Sequence, residues 1–121
     1  MTRLESLRKK EHFLLVLKQK AVSNNFFSIY RKKNFIKNSK QSKKKLYISF
    51  VMKKKIGIAV KRNRIKRKLR GIVQKLLKID GAINLNYTYI VLGKTKSYKE
   101  HYNSLYEKME KSFKKLENLN L

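Results

Sequence analysis

The segment Lys53-Lys-Lys-Ile-Gly-Ile-Ala-Val-Lys-Arg-Asn-Arg-Ile-Lys-Arg-Lys-Leu-Arg70 carries ten basic side chains and no acidic one. Its apolar residues are ordered. Ile58, Ile65, Leu69, Ile72, Leu76 and Ile79 follow one another at steps of seven, four, three, four and three, the period of a helix with one buried stripe, here predicted over about 58–79. At about 100° per residue, Arg67 and Arg70 lie within roughly 40° of Asn63, on the side opposite that stripe. One face therefore packs while the other presents guanidinium and amide groups. A planar guanidinium grips two phosphate oxygens at once, and the Asn63 amide both donates and accepts. A mixed-sign helix face is an ordinary solvated surface, but an all-positive one needs a polyanion.

The whole chain shares this bias, with 33 Lys and Arg against 7 Asp and Glu, a net charge of +26 over 121 residues. Self-repulsion on that scale opposes compaction, so a bound polyanion should stabilise the fold. With 41% hydrophobic residues, this length supports one domain around one modest core. The absence of cysteine excludes a disulfide framework and a thiolate zinc site. No apolar run reaches membrane-spanning length and no secretory cleavage pattern follows the N-terminus, so the expected compartment is the cytoplasm. Proline is absent and glycine numbers 4, so no low-complexity linker divides the chain.

On either side of the basic segment the chain alternates between helix and strand patterns. Residues of about 9–20 place Phe13, Val16 and Leu17 at helical spacing. Phe26-Phe-Ser-Ile-Tyr30 has strand propensity, with a strand expected over about 26–32; alternation puts Phe27 and Ile29 on one face and Ser28 and Tyr30 on the other. Between Arg31 and Lys45 the periodicity is lost and Lys, Asn, Ser and Gln dominate, the composition of a basic loop able to track phosphates. A nearly continuous apolar run over 46–52 suggests a strand buried on both faces. Asp80-Gly81 supplies a turn after the basic helix, and a third strand is expected over about 87–92. Ser97-Tyr-Lys-Glu100 fits a capping box for a last helix over about 98–117, whose stripe is Tyr98, Tyr102, Leu105, Met109, Phe113 and Leu116. Glu100, Glu107, Glu110 and Glu117 lie on that helix, which reads as scaffold turned away from a polyanion.

Chemistry by the protein's own side chains is not expected. Outside the last helix the acids are Glu5, Glu11 and Asp80, widely spaced, and His12 and His101 fall on different helices. Neither a carboxylate metal cluster nor a histidine acid–base pair is formed by such a set.

The stretch Lys54 to Arg70 resembles the signature of the bacterial ribonuclease P protein component, Lys-Lys-x-Gly-x-Ala-Val-x-Arg-Asn-Arg-x-Lys-Arg-x-x-Arg, contiguously and at every specified position. The resemblance implies an α+β sandwich in the order α-β-β-β-α-β-α, with three helices, a four-stranded mixed sheet whose fourth, short strand lies near 21–24, and a left-handed β-α-β crossover. It implies a protein subunit that assists a catalytic RNA in endonucleolytic removal of the 5′ leader from precursor tRNA. Its partners would be that RNA and precursor tRNA, with Mg2+ held mainly by the RNA. Carried over by position, Lys54, Lys55, Gly57, Arg62, Asn63, Arg64, Lys66, Arg67 and Arg70 would contact RNA. Phe13, Leu17, Phe27 and Tyr30 would line a cleft for the single-stranded leader. This chain departs from the family in having Leu17 at a second aromatic position of the first helix and Ser49 where glycine is usual. A structural RNA-binding protein or a DNA-compacting protein would share the charge, but not the contiguous motif.

Overall fold

Strands and helices follow in the order β1 (Arg3–Glu5), α1 (Lys10–Leu17), β2 (Ala21–Ser23), β3 (Phe27–Lys33), β4 (Lys45–Met52), α2 (Ala59–Leu76), β5 (Tyr87–Gly93) and α3 (Tyr102–Glu117). The computed structural model describes residues 2–35 and 45–119. The sheet order is β1-β4-β5-β3-β2. β4 runs parallel to β1 and β5, whereas β3 runs antiparallel to β5 and β2. Strand β4, helix α2 and strand β5 therefore form the β-α-β unit read from the sequence.

The sheet has five strands rather than the expected four. The additional one, β1, pairs Arg3, Leu4 and Glu5 with Lys45, Leu46 and Tyr47. Three residues are too few for alternation to mark a strand; they are ordered because the edge of β4 offers unpaired backbone groups.

Alternation along the strands divides the molecule into two cores. Phe27 and Ile29 of β3, Leu46, Ile48 and Phe50 of β4, and Tyr89 and Val91 of β5 face α2 and α3. Ile65, Leu69, Ile72, Val73 and Leu76 of α2, with Leu105, Met109, Phe113 and Leu116 of α3, close that larger core. On the opposite face Ile90 packs with Leu7 and with Val16 of α1. Ser49 belongs to this second face, and its hydroxyl accepts the Leu7 N–H at 2.8 Å. The residue that replaces the family's glycine thus ties the segment before α1 to the sheet.

The helix ends differ from the periodic reading. Ile58 and Ile79, counted in the apolar stripe, are 73% and 46% exposed because α2 spans only Ala59–Leu76. Gly57, at φ 129°, turns the chain just before it, and the chain tightens at Lys78 and Ile79 into bonds to Lys75 and Leu76 ahead of Gly81 at φ 78°. α3 starts at Tyr102 rather than near 98. The capping-box residues act differently: the Ser97 hydroxyl donates to the Lys94 carbonyl at 2.5 Å within a short turn, Thr95–Tyr98, while Glu100 accepts from the Ser104 hydroxyl at 3.0 Å. α1 is likewise shorter than expected, ending at Leu17.

Of the segment expected as a basic loop, Arg31, Lys32 and Lys33 complete β3 and Lys45 opens β4; residues 36–44 lie outside the described residues. Arg31 is buried. Its Nη1 pairs with the Glu117 carboxylate, its Nη2 donates to the Leu116 carbonyl at 2.6 Å, and its guanidinium lies 3.9 Å from the centroid of the Tyr87 ring. It is a fastener between β3 and α3, not a phosphate contact.

Candidate RNA interface

α2 buries one stripe against the sheet and turns the other outward. Asn63, Arg64, Lys66, Arg67 and Arg70 are all exposed. A groove of about 510 Å3 is lined by Val60, Asn63, Lys66, Arg67 and Arg70, so the residues grouped by helical angle do meet on one surface. Neither of the ion pairs among the described residues, Arg8–Glu5 and Arg31–Glu117, involves α2. These cations face solvent without a carboxylate to neutralise them, and their field adds.

The remaining basic positions are used differently. Arg62 lies about 100° around the helix from Asn63 and is half-buried. Arg64 reaches sideways to Tyr98, with its Nη1 3.5 Å from the Tyr98 hydroxyl and its guanidinium 5.8 Å from the ring centroid. Lys61 lies 4.9 Å from the same ring. Lys68 is withdrawn from the surface: its Nζ donates to the carbonyls of Ser97, Tyr98 and Glu100 at 3.1, 3.1 and 2.9 Å. That ammonium bridges α2 to the turn before α3. Arg64, Arg67, Lys68 and Tyr98 border a second groove of about 480 Å3. Tyr98 packs on the main core, as read from sequence, and is also an aromatic neighbour of the basic face; no sequence spacing links it to a helix some thirty residues earlier.

The N-terminus of α2 adds to the positive surface. Lys54 and Lys55 lie in the short turn Lys54–Ile56, followed by Gly57 and by Ile58, which caps the helix without a side-chain acceptor. The first N–H groups of α2 therefore point forward from an uncapped end, where the helix dipole favours an anion.

The opposite face of the sheet carries the second set of expected residues. Register aligns Ser49, Ile90, Tyr30 and Ala21 across four strands, and Val51, Leu92, Ser28 and Ser23 beside them. Phe13 of α1 and Tyr30 of β3 are both half-buried against the Leu7, Val16 and Ile90 cluster, as are Tyr47 and Val51. Phe13 and Tyr30 are therefore brought together. Leu17 is 41% exposed at the end of α1. Phe27 is corrected: it is 0% exposed and lies in the core under α2 and α3. Phe27 and Tyr30 are an odd number of residues apart on one strand, so they cannot share a face. Val51 and Leu92, partly exposed beside Tyr30 on this face, were not singled out by sequence because alternating apolar residues look alike on both sides of a sheet.

Among the described residues no group of three or more His, Cys, Asp or Glu side chains gathers where a metal ion could be held. No helix among them is long and apolar enough to cross a membrane.

Comparison with known proteins agrees with this arrangement. The family model described as Ribonuclease P matches residues 1–117. The chain is 31% identical over 100 residues to the ribonuclease P protein component of Thermotoga maritima, covering 82% of this chain and 77% of that protein. It is 33% identical over 96 residues to that of Syntrophomonas wolfei, covering 79% and 69%. Among solved structures, the ribonuclease P protein of Thermotoga maritima superposes with a TM-score of 0.71 at 26% identity, covering 92% of this chain and 96% of that one. The Staphylococcus aureus protein superposes with a TM-score of 0.67 at 27% identity, covering 95% and 97%. The chain belongs to the ribonuclease P protein component family, whose members work with an RNA in the 5′ processing of tRNA.

Proposed function

We propose that this protein is the subunit of a cytoplasmic ribonuclease P holoenzyme in which the RNA performs the endonucleolytic cleavage of precursor tRNA. The observation that carries this reading is the unneutralised row Asn63, Lys66, Arg67 and Arg70 on α2, exposed along one groove. In this role Lys54, Lys55, Gly57, Arg62, Asn63, Arg64, Lys66, Arg67 and Arg70 hold the phosphates of the catalytic RNA, with Arg64 oriented by Tyr98. Phe13 and Tyr30, with Leu17 at the margin of α1, receive the single-stranded leader; each base stacked on an aromatic ring contributes roughly 1–3 kcal/mol.

Mg2+ held by the RNA would supply the activated water and stabilise the leaving oxygen. The protein's part is electrostatic. Its cations offset the mutual repulsion of phosphates that opposes both RNA packing and substrate docking. No side chain of the protein acts as acid or base in this scheme.

The test is cleavage of precursor tRNA by the cognate catalytic RNA at low Mg2+, with and without the protein. Stimulation with the correct 5′ end is expected. Tight RNA binding without stimulation would make the protein a structural RNA binder, and cleavage by the protein alone would overturn the assignment of chemistry to the RNA.

A further inference from the structure

We infer that a groove between β1 and the C-terminal half of α2 takes a single unpaired nucleobase of the bound RNA. The inference rests on the reading of α2 as an RNA-backbone face and adds a base site to it. The groove, about 860 Å3, is lined by Arg3, Leu4, Arg70, Gln74, Leu77 and Lys78 among others. It exceeds the two grooves along the exposed ridge of α2 and falls within the roughly 300–1,000 Å3 of small-ligand sites.

Its chemistry differs from that of the ridge. Leu4 and Leu77 are half-buried and packed on the main core, forming an apolar floor. Arg3, Arg70 and Lys78 stand exposed at the rim, and the lining includes no acid. Gln74 adds a carboxamide that donates and accepts at once. An apolar surface, a planar guanidinium and a carboxamide beside a phosphate-binding rim suit one group: a flat ring with a hydrogen-bonding edge, attached to a phosphodiester chain. The ring face lies on the leucines and against arginine, the edge meets Gln74, an amide geometry suited to adenine, and the phosphate meets Arg70 or Lys78. A base stacked in a duplex has its faces covered, so only an unpaired one enters.

Position supports the same occupant. Gln74 continues the series Asn63, Arg67 and Arg70 by one more step of four, so it lies on the same ridge one turn further along. A strand whose phosphates follow that ridge arrives at the groove. Its far wall is β1, which exists only through pairing with the start of β4.

The chain has no cysteine, so Gln74→Cys introduces a sole thiol on an exposed position to carry an aryl azide. The labelled full-length protein is irradiated in separate complexes with the cognate catalytic RNA and with precursor tRNA. The expected result is a cross-link to one unpaired nucleotide in one of the two RNAs, which identifies the source of the base. Making that nucleotide abasic should weaken binding of the unmodified protein at least about fivefold, roughly 1 kcal/mol, with no further loss for Gln74→Ala. Cross-links spread over paired nucleotides, cross-links absent from both RNAs, or an abasic site without effect would each overturn the groove assignment. If binding stays tight and sensitive to Arg67→Ala in those cases, the backbone face survives and only the base site fails. If Arg67→Ala has no effect on either RNA, the reading of α2 fails and the groove with it.

Discussion

Arg31 and Glu117, 86 residues apart, form an ion pair that fastens strand β3 to the last turn of α3. The two partners are unequally placed, with the arginine side chain 4% and the glutamate side chain 40% exposed. The glutamate is held further through Asn84: the other Glu117 oxygen accepts from the Asn84 side chain at 2.9 Å, and Tyr89 donates to the Asn84 carbonyl at 2.9 Å. Removing the glutamate leaves a buried guanidinium that keeps the Leu116 carbonyl, the Tyr87 ring and the neighbouring Tyr89 hydroxyl but has no counter-charge. A fully buried pair broken this way costs about 3–5 kcal/mol. Because Glu117 is partly in water, Glu117→Ala is expected to cost about 1–3 kcal/mol, measured by urea unfolding, with RNA affinity unchanged at temperatures where the protein stays folded. A change below a few tenths of a kcal/mol would show the pair to be energetically neutral.

Arg67 and Lys68 are sequence neighbours with opposite duties. Arg67→Ala should leave the unfolding midpoint within error and lower the salt dependence of catalytic-RNA binding by about one unit of log–log slope. Lys68→Ala should do the reverse. It removes the ammonium held by three carbonyls, so thermal stability falls while the salt slope barely moves. Equal loss of slope in both variants would mean that Lys68 leaves its carbonyls when RNA binds.

Phe27 and Tyr30 separate in the same manner on one strand. Phe27→Ala opens a cavity in the larger core and is expected to cost about 3–5 kcal/mol of stability. Tyr30→Ala, on the half-exposed face with Phe13, should cost far less stability and instead weaken precursor tRNA relative to mature tRNA. Comparing affinities for the two RNAs isolates the leader. If Tyr30→Ala weakens both equally, the α1 face does not hold the leader.

Burial holds the Tyr89 phenol well above its ordinary 10.0, since desolvation penalises the phenolate more than nearby Arg31 favours it. Below that ordinary value the phenol keeps its proton in both folded and unfolded chains, and the full stability contribution is present. Above it the unfolded chain releases the proton while the native state retains it, so stability declines as pH rises. Urea unfolding between about pH 8 and about pH 11 should therefore show a steeper alkaline loss for the native protein than for Tyr89→Phe. Parallel curves would mean that Tyr89 ionises as easily folded as unfolded.

Much of the molecule is written in local pattern. The period from Ile65 to Leu76 determined α2 and its basic outer face, the β-branched and aromatic runs determined β3, β4 and β5, and the contiguous Lys54–Arg70 motif carried the family. These readings succeed because each depends on side chains within one or two turns of each other. What tertiary structure alone decided depends on partners distant in the chain. β1 exists because the edge of β4 was open, Arg31 became an internal fastener because Glu117 reaches it, Lys68 was withdrawn from the basic face by three carbonyls before α3, and Tyr98 borders that face while packing on the core. The side of the sheet that α1 covers separated Tyr30 from Phe27. Alternation states that two residues face opposite ways, but the side that becomes core is decided by the helices that pack there, and that is a property of the assembled fold.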